Sequence, residues 1–412
     1  MLPVLTAAQM RAADRHTIEV LGIKGERLME AAGSAVARLL ADEFGDARPA
    51  VLCGKGNNGG DGFVAARRLL GRRPLSRRPL VLLFGRESEV QGDARTHMFK
   101  LKTSGGEVRE VADLPAWEAV KADVLGCGVL VDALLGTGLR SAPSGLVGRV
   151  ISDLEQSASR PPIVAVDLPS GLSSDDGALE WPALSAVVSV TFAAPKRGHV
   201  LPPACDRVGR LVVADIGIPP EVCASAAHVW LLERSDAALA YPERSPGGHK
   251  GSYGHLLVLA GSVGKTGAAA LAAHAALRAE ALPLLVSQAR PEVMTEPLPD
   301  GWTKAGLDRA LALAEGRDAV VLGPGLGRPE AASAFVHAFL ERCTRPVLVD
   351  ADALNALAHH GTPPARAAAT ILTPHPGEMA RLVGGDTREV LGRRLELAAE
   401  LASRAAVHVV LK

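Results

Sequence analysis

The sequence predicts a protein of two α/β domains built on parallel sheets, and three observations support this. Its 412 residues are more than one domain usually contains. Short apolar runs alternate with longer helical patterns, the order typical of strands joined by crossover helices. The apolar runs are continuous in Val, Leu and Ile, which indicates strands covered by helices on both faces.

The first series of elements occupies residues 1–234 and predicts an α/β sandwich. Helical patterns cover Thr6–Leu21, Lys24–Phe44 and Gly62–Leu70. Six strands are predicted, at Ala50–Leu52, Leu80–Phe84, Val129–Leu135, Ile163–Val166, Val187–Phe192 and Leu211–Ala214. Helices lie before and between these strands, as expected when both faces of a sheet are covered.

Residues 235–248 differ in composition, because Pro242, Pro246, Gly247 and Gly248 stand close together among few apolar residues. Such a stretch predicts a linker. A second α/β series is predicted over 249–412, with strands at His255–Ala260, Leu284–Ser287, Ala319–Leu322, Pro346–Val349, Ala369–Leu372 and Val407–Leu411. Since no helix follows the last strand, we expect the second domain to be incomplete.

Composition and charge exclude several classes of partner. The chain has 45 Lys and Arg and 45 Asp and Glu, and a balanced charge gives no reason to expect a nucleic-acid or membrane-surface partner. No apolar stretch approaches the about 20 residues that span a bilayer. The five cysteines are odd in number and lack C-x-x-C spacing, which predicts free thiols in a reducing cytoplasm.

The segment Gly54–Gly62 is the strongest local motif, and it lies between a predicted strand and a predicted helix. Its five glycines let the backbone turn tightly and approach a ligand. The free N–H groups of the following helix favour an anion such as pyrophosphate. Gly54, Gly56 and Gly59 also match the G-x-G-x-x-G dinucleotide fingerprint, so an NADP-dependent dehydrogenase and a turn without a ligand remain alternatives.

Polar side chains also mark the ends of two further predicted strands. Asp132 lies near the end of one, and Asp167 and Ser170 follow the other. Ligands of open parallel sheets bind outside the carboxyl ends of the strands, so a shared site is expected there. The oxygens of Asn58, Asp132 and Ser170 suit a hard cation. Asp167 is the candidate general acid or base, because partial desolvation can tune its pKa toward neutrality, and Lys196 is a second candidate, although lysines are usually exposed.

Three motifs in this order resemble the NAD(P)H-hydrate epimerase family: Cys53–Gly62, Val131–Leu139 and Val166–Leu172. The resemblance extends from Thr6 to Ile218. It implies a Rossmann-like three-layer sandwich that interconverts the R and S forms of the hydrates NADHX and NADPHX.

The same resemblance implies a set of site residues. A potassium ion would be held by Asn58, Asp132 and Ser170. The hydrated nucleotide would contact Asn57, Asn58, Gly59, Gly60, Asp61, Gly136, Thr137, Gly138, Leu139, Arg140, Ser141, Ala142 and Asp167.

Polar clusters also follow the strands of the second half. Thr266–Ala269, Gly323–Gly327 and Thr373–Glu378 resemble motifs of the ADP- or ATP-dependent NAD(P)H-hydrate dehydratase family. The resemblance implies a ribokinase-like fold that uses ADP or ATP with Mg²⁺. It also implies that the hydrate contacts Ala268, Gly327 and His375, and that Lys412 begins the nucleotide site. The two families are often fused, since the dehydratase consumes the S form that the epimerase replenishes.

One motif of the dehydratase family is absent from this sequence. The family continues after Lys412 to a turn ending in Gly-x-Gly-Asp, whose N–H groups stabilise phosphoryl charge and whose Asp is the catalytic acid or base. We therefore expect little dehydratase activity from this form. The remaining alternatives are a ribokinase-like small-molecule kinase fusion and a non-catalytic scaffold, because fold does not fix function. We also expect a homo-oligomer.

Overall fold

The computed structural model shows two compact units, Met1–Tyr241 and Pro242–Lys412. Each unit contains a parallel sheet with helices between its strands, which confirms the predicted α/β class. The predicted domain bounds stay a prediction, and the segment predicted as a linker begins within the helix Arg234–Leu239. The structure describes residues 1–71, 77–139, 141–239, 246–248, 254–278, 282–284, 294–298, 301–327, 330–360 and 363–412.

The first unit is built on a seven-stranded parallel sheet and a two-stranded antiparallel sheet. Its strands are β1 (Leu2–Val4), β2 (Pro49–Cys53), β3 (Leu80–Leu83), β4 (Val108–Glu110), β5 (Val129–Ala133), β6 (Ile163–Val166), β7 (Val188–Phe192), β8 (Arg210–Ala214) and β9 (Val229–Leu231). The large sheet has the order β4-β3-β2-β5-β6-β7-β8, and β1 pairs with β9. The strands β2, β5 and β6 are therefore neighbours, and their carboxyl ends meet at one edge.

Helices cover both faces of this sheet. They are α1 (Ala7–Glu19), α2 (Gly25–Phe44), α3 (Asn57–Leu70), α4 (Gly92–Thr103), α5 (Leu114–Leu125), α6 (Gly145–Gln156), α7 (Arg197–Val200), α8 (Pro220–Ala226) and α9 (Arg234–Leu239). Successive residues of β2 point to opposite faces, so Val51 packs in one apolar cluster with residues of α1 to α4, and Leu52 packs in another with residues of α5 and α6. The result is the predicted three-layer sandwich.

All six strands predicted for this unit are present, each within two residues of its expected bounds. The strands β1, β4 and β9 were not predicted. Each contains only three residues, which is too short for a hydrophobic period to show.

The predicted glycine turn was wrong in its extent. The helix α3 begins at Asn57, five residues before the predicted start at Gly62. A Cβ atom on Gly59 would lie 1.9 Å from the carbonyl oxygen of Gly54, and one on Gly62 would lie 2.8 Å from the Cβ of Ala133. These glycines therefore let the first turns of the helix pack directly on the strand ends, and only 54–56 form the turn.

The second unit contains one six-stranded parallel sheet in the order β11-β10-β12-β13-β14-β15. The strands are β10 (His255–Leu259), β11 (Leu282–Leu284), β12 (Ala319–Leu322), β13 (Val347–Val349), β14 (Thr370–Leu372) and β15 (His408–Val409). The helices are α10 (Thr266–Arg278), α11 (Lys304–Glu315), α12 (Glu330–Arg342), α13 (Asp352–His360), α14 (Pro376–Val383), α15 (Thr387–Gly392) and α16 (Arg394–Ala405).

Two strand predictions for this unit need correction. The strand predicted at Leu284–Ser287 begins earlier, at Leu282, and residues 285–287 lie outside the described ranges. The strand predicted at Val407–Leu411 is only His408–Val409, because β14 offers a short partner. Within the described part of the chain, no helix has the length and apolar character needed to cross a membrane.

Candidate active sites at the carboxyl edges of the two sheets

Hydrogen bonds join the ends of β2, β5 and β6 around a buried carboxylate. Asp132 is fully buried, and its Oδ1 and Oδ2 accept hydrogen bonds from the hydroxyl of Ser170 (2.6 Å) and from the backbone N–H of Ser170 (2.7 Å). The Ser170 hydroxyl also accepts from the N–H of Leu135 at 2.9 Å. Asn58 Nδ2 donates to the Leu135 carbonyl at 2.8 Å. The three residues predicted to hold a cation therefore lie in one connected cluster.

The oxygens of this cluster fit a hard cation. Asn58 Oδ1 is buried and has no hydrogen-bond partner among the described residues, although such an atom normally has one. Burial raises the pKa of Asp132 to about 6, against the lowering effect of hydrogen bonds from Ser170 and Leu134. No group of three His, Cys, Asp or Glu that could hold a metal occurs in the described residues. The donors are amide, hydroxyl and carboxylate oxygens, which suit a hard ion rather than a transition metal.

Asp167 follows β6 in a left-handed backbone conformation, with φ of 65°. Its Oδ1 accepts hydrogen bonds from Lys196 Nζ at 2.7 Å and from Thr191 Oγ1 at 2.9 Å. Burial alone would raise the pKa of Asp167, but the charge of Lys196 and these hydrogen bonds outweigh it and hold the pKa below its usual value. The expectation of a pKa tuned toward neutrality was therefore wrong, because the pairing with Lys196 favours the ionised form of Asp167.

Lys196 is not the exposed lysine that the sequence suggested, because its side chain is only 1% exposed. Its ammonium donates to Asp167 Oδ1 and Thr191 Oγ1 (2.9 Å), and more weakly to a backbone carbonyl. The N-terminal segment covers it, since the N–H of Leu5 donates to Pro195 and the carbonyl of Leu5 accepts from Arg197. Pairing with Asp167 offsets the cost of burying this charge.

His199 is a site residue that sequence reasoning missed. Its Nδ1 accepts the backbone N–H of Lys196 at 2.9 Å, so its Nε2 carries the proton and donates to the Asp167 carbonyl at 2.7 Å. Burial, followed by the charge of Lys196, lowers the pKa of His199 to about 4. The neutral ring therefore fixes the backbone on either side of the ion pair. A single histidine in a short helix gave no signal of this role.

Two further carboxyl groups lie at the same edge. Asp61, on α3, is only 8% exposed. Burial, and then the charges of Asp167 and Asp14, raise the pKa of Asp61 well above its usual value. Burial also raises the pKa of Asp14, which lies on α1 and interacts with Lys196 and Asp167. The sequence predicted a substrate contact for Asp61 but no role for Asp14, because an acid on an amphipathic helix is usually solvated.

The loop after β5 flanks this cluster. Gly136 lies beside Asn58, so that an added Cβ would be 3.4 Å from the Asn58 Cβ. The Thr137 carbonyl accepts a hydrogen bond from Ser174 Oγ at 3.4 Å. Among the other predicted substrate contacts, Asn57 and Gly138 are exposed, whereas Gly59 and Gly60 are buried. Leu139 is half-buried, Ser141 and Ala142 are exposed, and Arg140 lies outside the described residues.

In the second unit, Asp350 and Asp352 organise the edge after β13. Asp350 Oδ1 accepts hydrogen bonds from Lys412 Nζ and Thr373 Oγ1, both at 2.8 Å. Asp352 Oδ2 accepts from the N–H of Gly327 at 2.9 Å and from Lys265 Nζ at 3.0 Å. Neither aspartate was among the predicted site residues, although both follow a predicted strand.

The other predicted contacts of the second unit lie along the same edge. The N–H of Lys412 donates to the Pro374 carbonyl at 2.9 Å, next to His375. His375 is the N-cap of α14, and its Nδ1 accepts the N–H of Gly377 at 3.1 Å. Ala268, at the start of α10, would lie 3.1 Å from a Cβ added to Gly325. These contacts connect the ends of β10, β12, β13, β14 and β15.

Comparisons with known proteins match both units. Residues 25–198 match the family described as YjeF-related protein N-terminus, and residues 256–412 match the family described as NAD(P)H-hydrate dehydratase. The bifunctional NAD(P)H-hydrate repair enzyme Nnr of Moorella thermoacetica is 38% identical over 97% of this chain and 78% of its own length. The protein of the same name from Escherichia coli is 35% identical over 98% of this chain and 76% of its own length.

A solved structure is also similar to part of this chain. It is the ADP/ATP-dependent NAD(P)H-hydrate dehydratase from Bacillus subtilis co-crystallised with ATP/Mg²⁺, which is 32% identical, covers 43% of this chain and 64% of its own, and has a TM-score of 0.36. The sequence comparisons confirm the predicted nicotinamide-nucleotide repair enzyme and give no support to a kinase fusion. Because these similarities extend over nearly the whole chain, it belongs to the family of bifunctional NAD(P)H-hydrate repair enzymes.

Proposed function

We propose that the first unit epimerises the hydrates of NADH and NADPH at the edge formed by β2, β5 and β6. The observation that carries the proposal is the buried pair of Asp167 and Lys196 beside the oxygen cluster of Asp132. Water adds to an enamine with its hydroxyl on the carbon bonded to nitrogen, so the two hydrates differ in configuration at that carbon. Inverting it requires a positioned proton acceptor, and Asp167 has the ionisation state for this role.

The direct test is an epimerisation assay on the full chain. Purified R-NADHX is incubated with the protein in potassium chloride, and the R and S forms are separated by chiral chromatography. The expected result is conversion to an R/S mixture much faster than in buffer alone. A rate equal to that of the buffer would contradict the proposed function.

We propose potassium as the cation of this site. Asn58 Oδ1, Asp132 and Ser170 would hold it, because the amide oxygen is buried without a partner and the carboxylate supplies the charge. When bound, the ion would supply positive charge beside an anionic nucleotide. Through their hydrogen bonds, Asn58, Asp132 and Ser170 hold together the glycine turn, the loop after β5 and the segment after β6.

Replacing Asn58 by Ala is expected to remove the stabilisation of the protein by potassium. With one ligand lost, the Tm should no longer rise when potassium chloride replaces choline chloride at equal ionic strength, because stabilisation by a bound ion requires binding to the folded state. Asn57→Ala is the matched control, since Asn57 is the exposed neighbour on the same helix and should keep the potassium response. An unchanged response in Asn58→Ala would exclude this site.

We propose that the second unit dehydrates the hydrate with ADP or ATP and Mg²⁺. Ala268, Gly327 and His375 would contact the hydrate, and Lys412, held by Asp350, would begin the nucleotide site. Supporting this, the four residues follow parallel strands, where ligands of such sheets bind. The assay is the nucleotide-dependent return of S-NADHX to NADH, followed by the absorbance of NADH.

Two variants of His375 separate its structural role from its binding role. His375→Ala is expected to destabilise the second unit by about 1 kcal/mol, because the N-cap bond to Gly377 is lost. His375→Asn should keep that stability, since Asn is a good N-cap. If His375 contacts the hydrate, both variants should bind S-NADHX more weakly in calorimetry. If His375→Asn binds S-NADHX with the affinity of the wild type, His375 caps the helix but does not contact the hydrate.

We also propose a cytoplasmic location, supported by five cysteines that are all free thiols. The substrates in this proposal are small molecules. Homo-oligomerisation stays a prediction, for which the mass in solution is the test.

A further inference from the structure

Asp61 has chemistry that substrate contact alone does not explain. It lies on the first turns of α3, at the edge where β2, β5 and β6 end, and only 8% of the residue is exposed. A buried ionised carboxylate is costly, whereas its protonated form is much less so. The group is therefore suited to carrying a proton.

The charges around Asp61 favour the same state. Four groups interact electrostatically with Asp61: Asp167 after β6, Asp14 on α1, Lys196 after β7, and the Cys53 thiol on β2. The one ammonium of this set is bound to Asp167. Burial is the largest cause that raises the pKa of Asp61, and the charges of Asp167 and Asp14 add to it against the opposite effect of Lys196, whereas the pKa of Asp167 is lowered. Two carboxyl groups with opposite shifts are the arrangement of an acid and a base.

We propose that Asp61 is a second catalytic carboxyl group, which donates a proton to the bound hydrate while Asp167 accepts one. This rests on the proposed epimerase function. Asp167 takes the proton of the ring hydroxyl, the carbon–oxygen double bond forms, and the ring carbon–nitrogen bond breaks. Its electron pair moves to nitrogen, which takes the proton of Asp61.

Ring closure on the opposite face of the carbonyl reverses every transfer. The nitrogen pair forms the new carbon–nitrogen bond, the N–H proton returns to Asp61, and the oxygen recovers its proton from Asp167. Both carboxyl groups end as they began, and the configuration at carbon is inverted. No oxidant, reductant or further reactant is needed.

The test is Asp61→Asn in the full chain, because an amide keeps the size of the carboxyl group but cannot transfer an acid proton. We expect kcat for epimerisation to fall about 10²- to 10⁴-fold, the usual contribution of a general acid. KM should change by less than about threefold, since binding is retained. The wild-type kcat should fall at alkaline pH as Asp61 loses its proton, and the residual rate of the variant should lack that fall.

Three comparisons make the result decisive. Asp42→Asn makes the same change at an exposed position of α2 and should leave kcat unchanged. Asp61→Glu keeps an acid proton and should recover part of the rate. The potassium-induced rise in Tm should persist in all three variants, which shows that the site is folded. A kcat for Asp61→Asn within about threefold of the wild type, or equal losses in Asn and Glu variants, would overturn the role of Asp61. Failure of the wild type to epimerise would instead overturn the proposed function.

Discussion

Asp167→Ala is expected to abolish epimerisation and to destabilise the first unit by about 3–5 kcal/mol, because it leaves the buried ammonium of Lys196 without its counter-charge. The loss of the proton acceptor should lower kcat by at least about 10²-fold. Chiral chromatography of NADHX measures the first effect, and denaturant unfolding measures the second.

The double variant Asp167→Ala/Lys196→Met separates the two effects. It removes both charges and fills the space of the lysine with an apolar chain, so most of the stability should return. The activity should not return, because the acceptor is still absent. Recovery of epimerisation in the double variant would remove Asp167 from the mechanism. A wild-type free energy of unfolding in Asp167→Ala would contradict the stabilising role of the buried ion pair.

Gly54→Ala is expected to be a strongly damaging small change in the glycine segment. The added Cβ would lie 2.0 Å from the carbonyl oxygen of Leu134, which is backbone of the neighbouring β5 loop and cannot turn away. Such overpacking costs about 1–3 kcal/mol or more, and here it would also separate the loop after β5 from α3. The rise in Tm caused by potassium and the rate of epimerisation should both decrease, together with the Tm itself.

Gly56→Ala is the matched control for this prediction. It adds the same methyl group two residues later, where no atom lies within 4 Å and where the backbone φ of −95° suits any residue. Its Tm and activity should stay close to those of the wild type. If both variants behave alike, close packing is not the reason for glycine at position 54.

The edge of the first site could be predicted from the sequence because parallel strands impose it. Asn58, Asp132 and Ser170 each follow or end a continuous apolar run, and neighbouring parallel strands bring such ends together. The pattern therefore predicted which side chains would meet. It did not predict that β5 lies between β2 and β6, which fixes the contacts of Asp132 on both sides.

The burial and ionisation of the polar groups at this edge could not be predicted in this way. Lys196 is buried because Leu5, far away in the sequence, pairs with the residues on either side of it. Asp14 reaches the site only through the placement of α1, and His199 only through the backbone of Asp167. Local pattern also misplaced the start of α3, because the glycines of this helix allow close packing, of Gly59 on Gly54 and of Gly62 on Ala133, rather than a turn.

The pairing of Leu5 with the segment around Lys196 has a consequence for how the chain assembles during synthesis. The segment around Leu5 leaves the ribosome before its partner segment around Lys196, which emerges only after β7. Until then Asp167 has no cation beside it, and the loop that joins the two segments must close over most of the first unit, a slow step in folding. The early strands of the nascent chain are therefore expected to form before the site is complete. The site is completed in one late step, when the two segments pair.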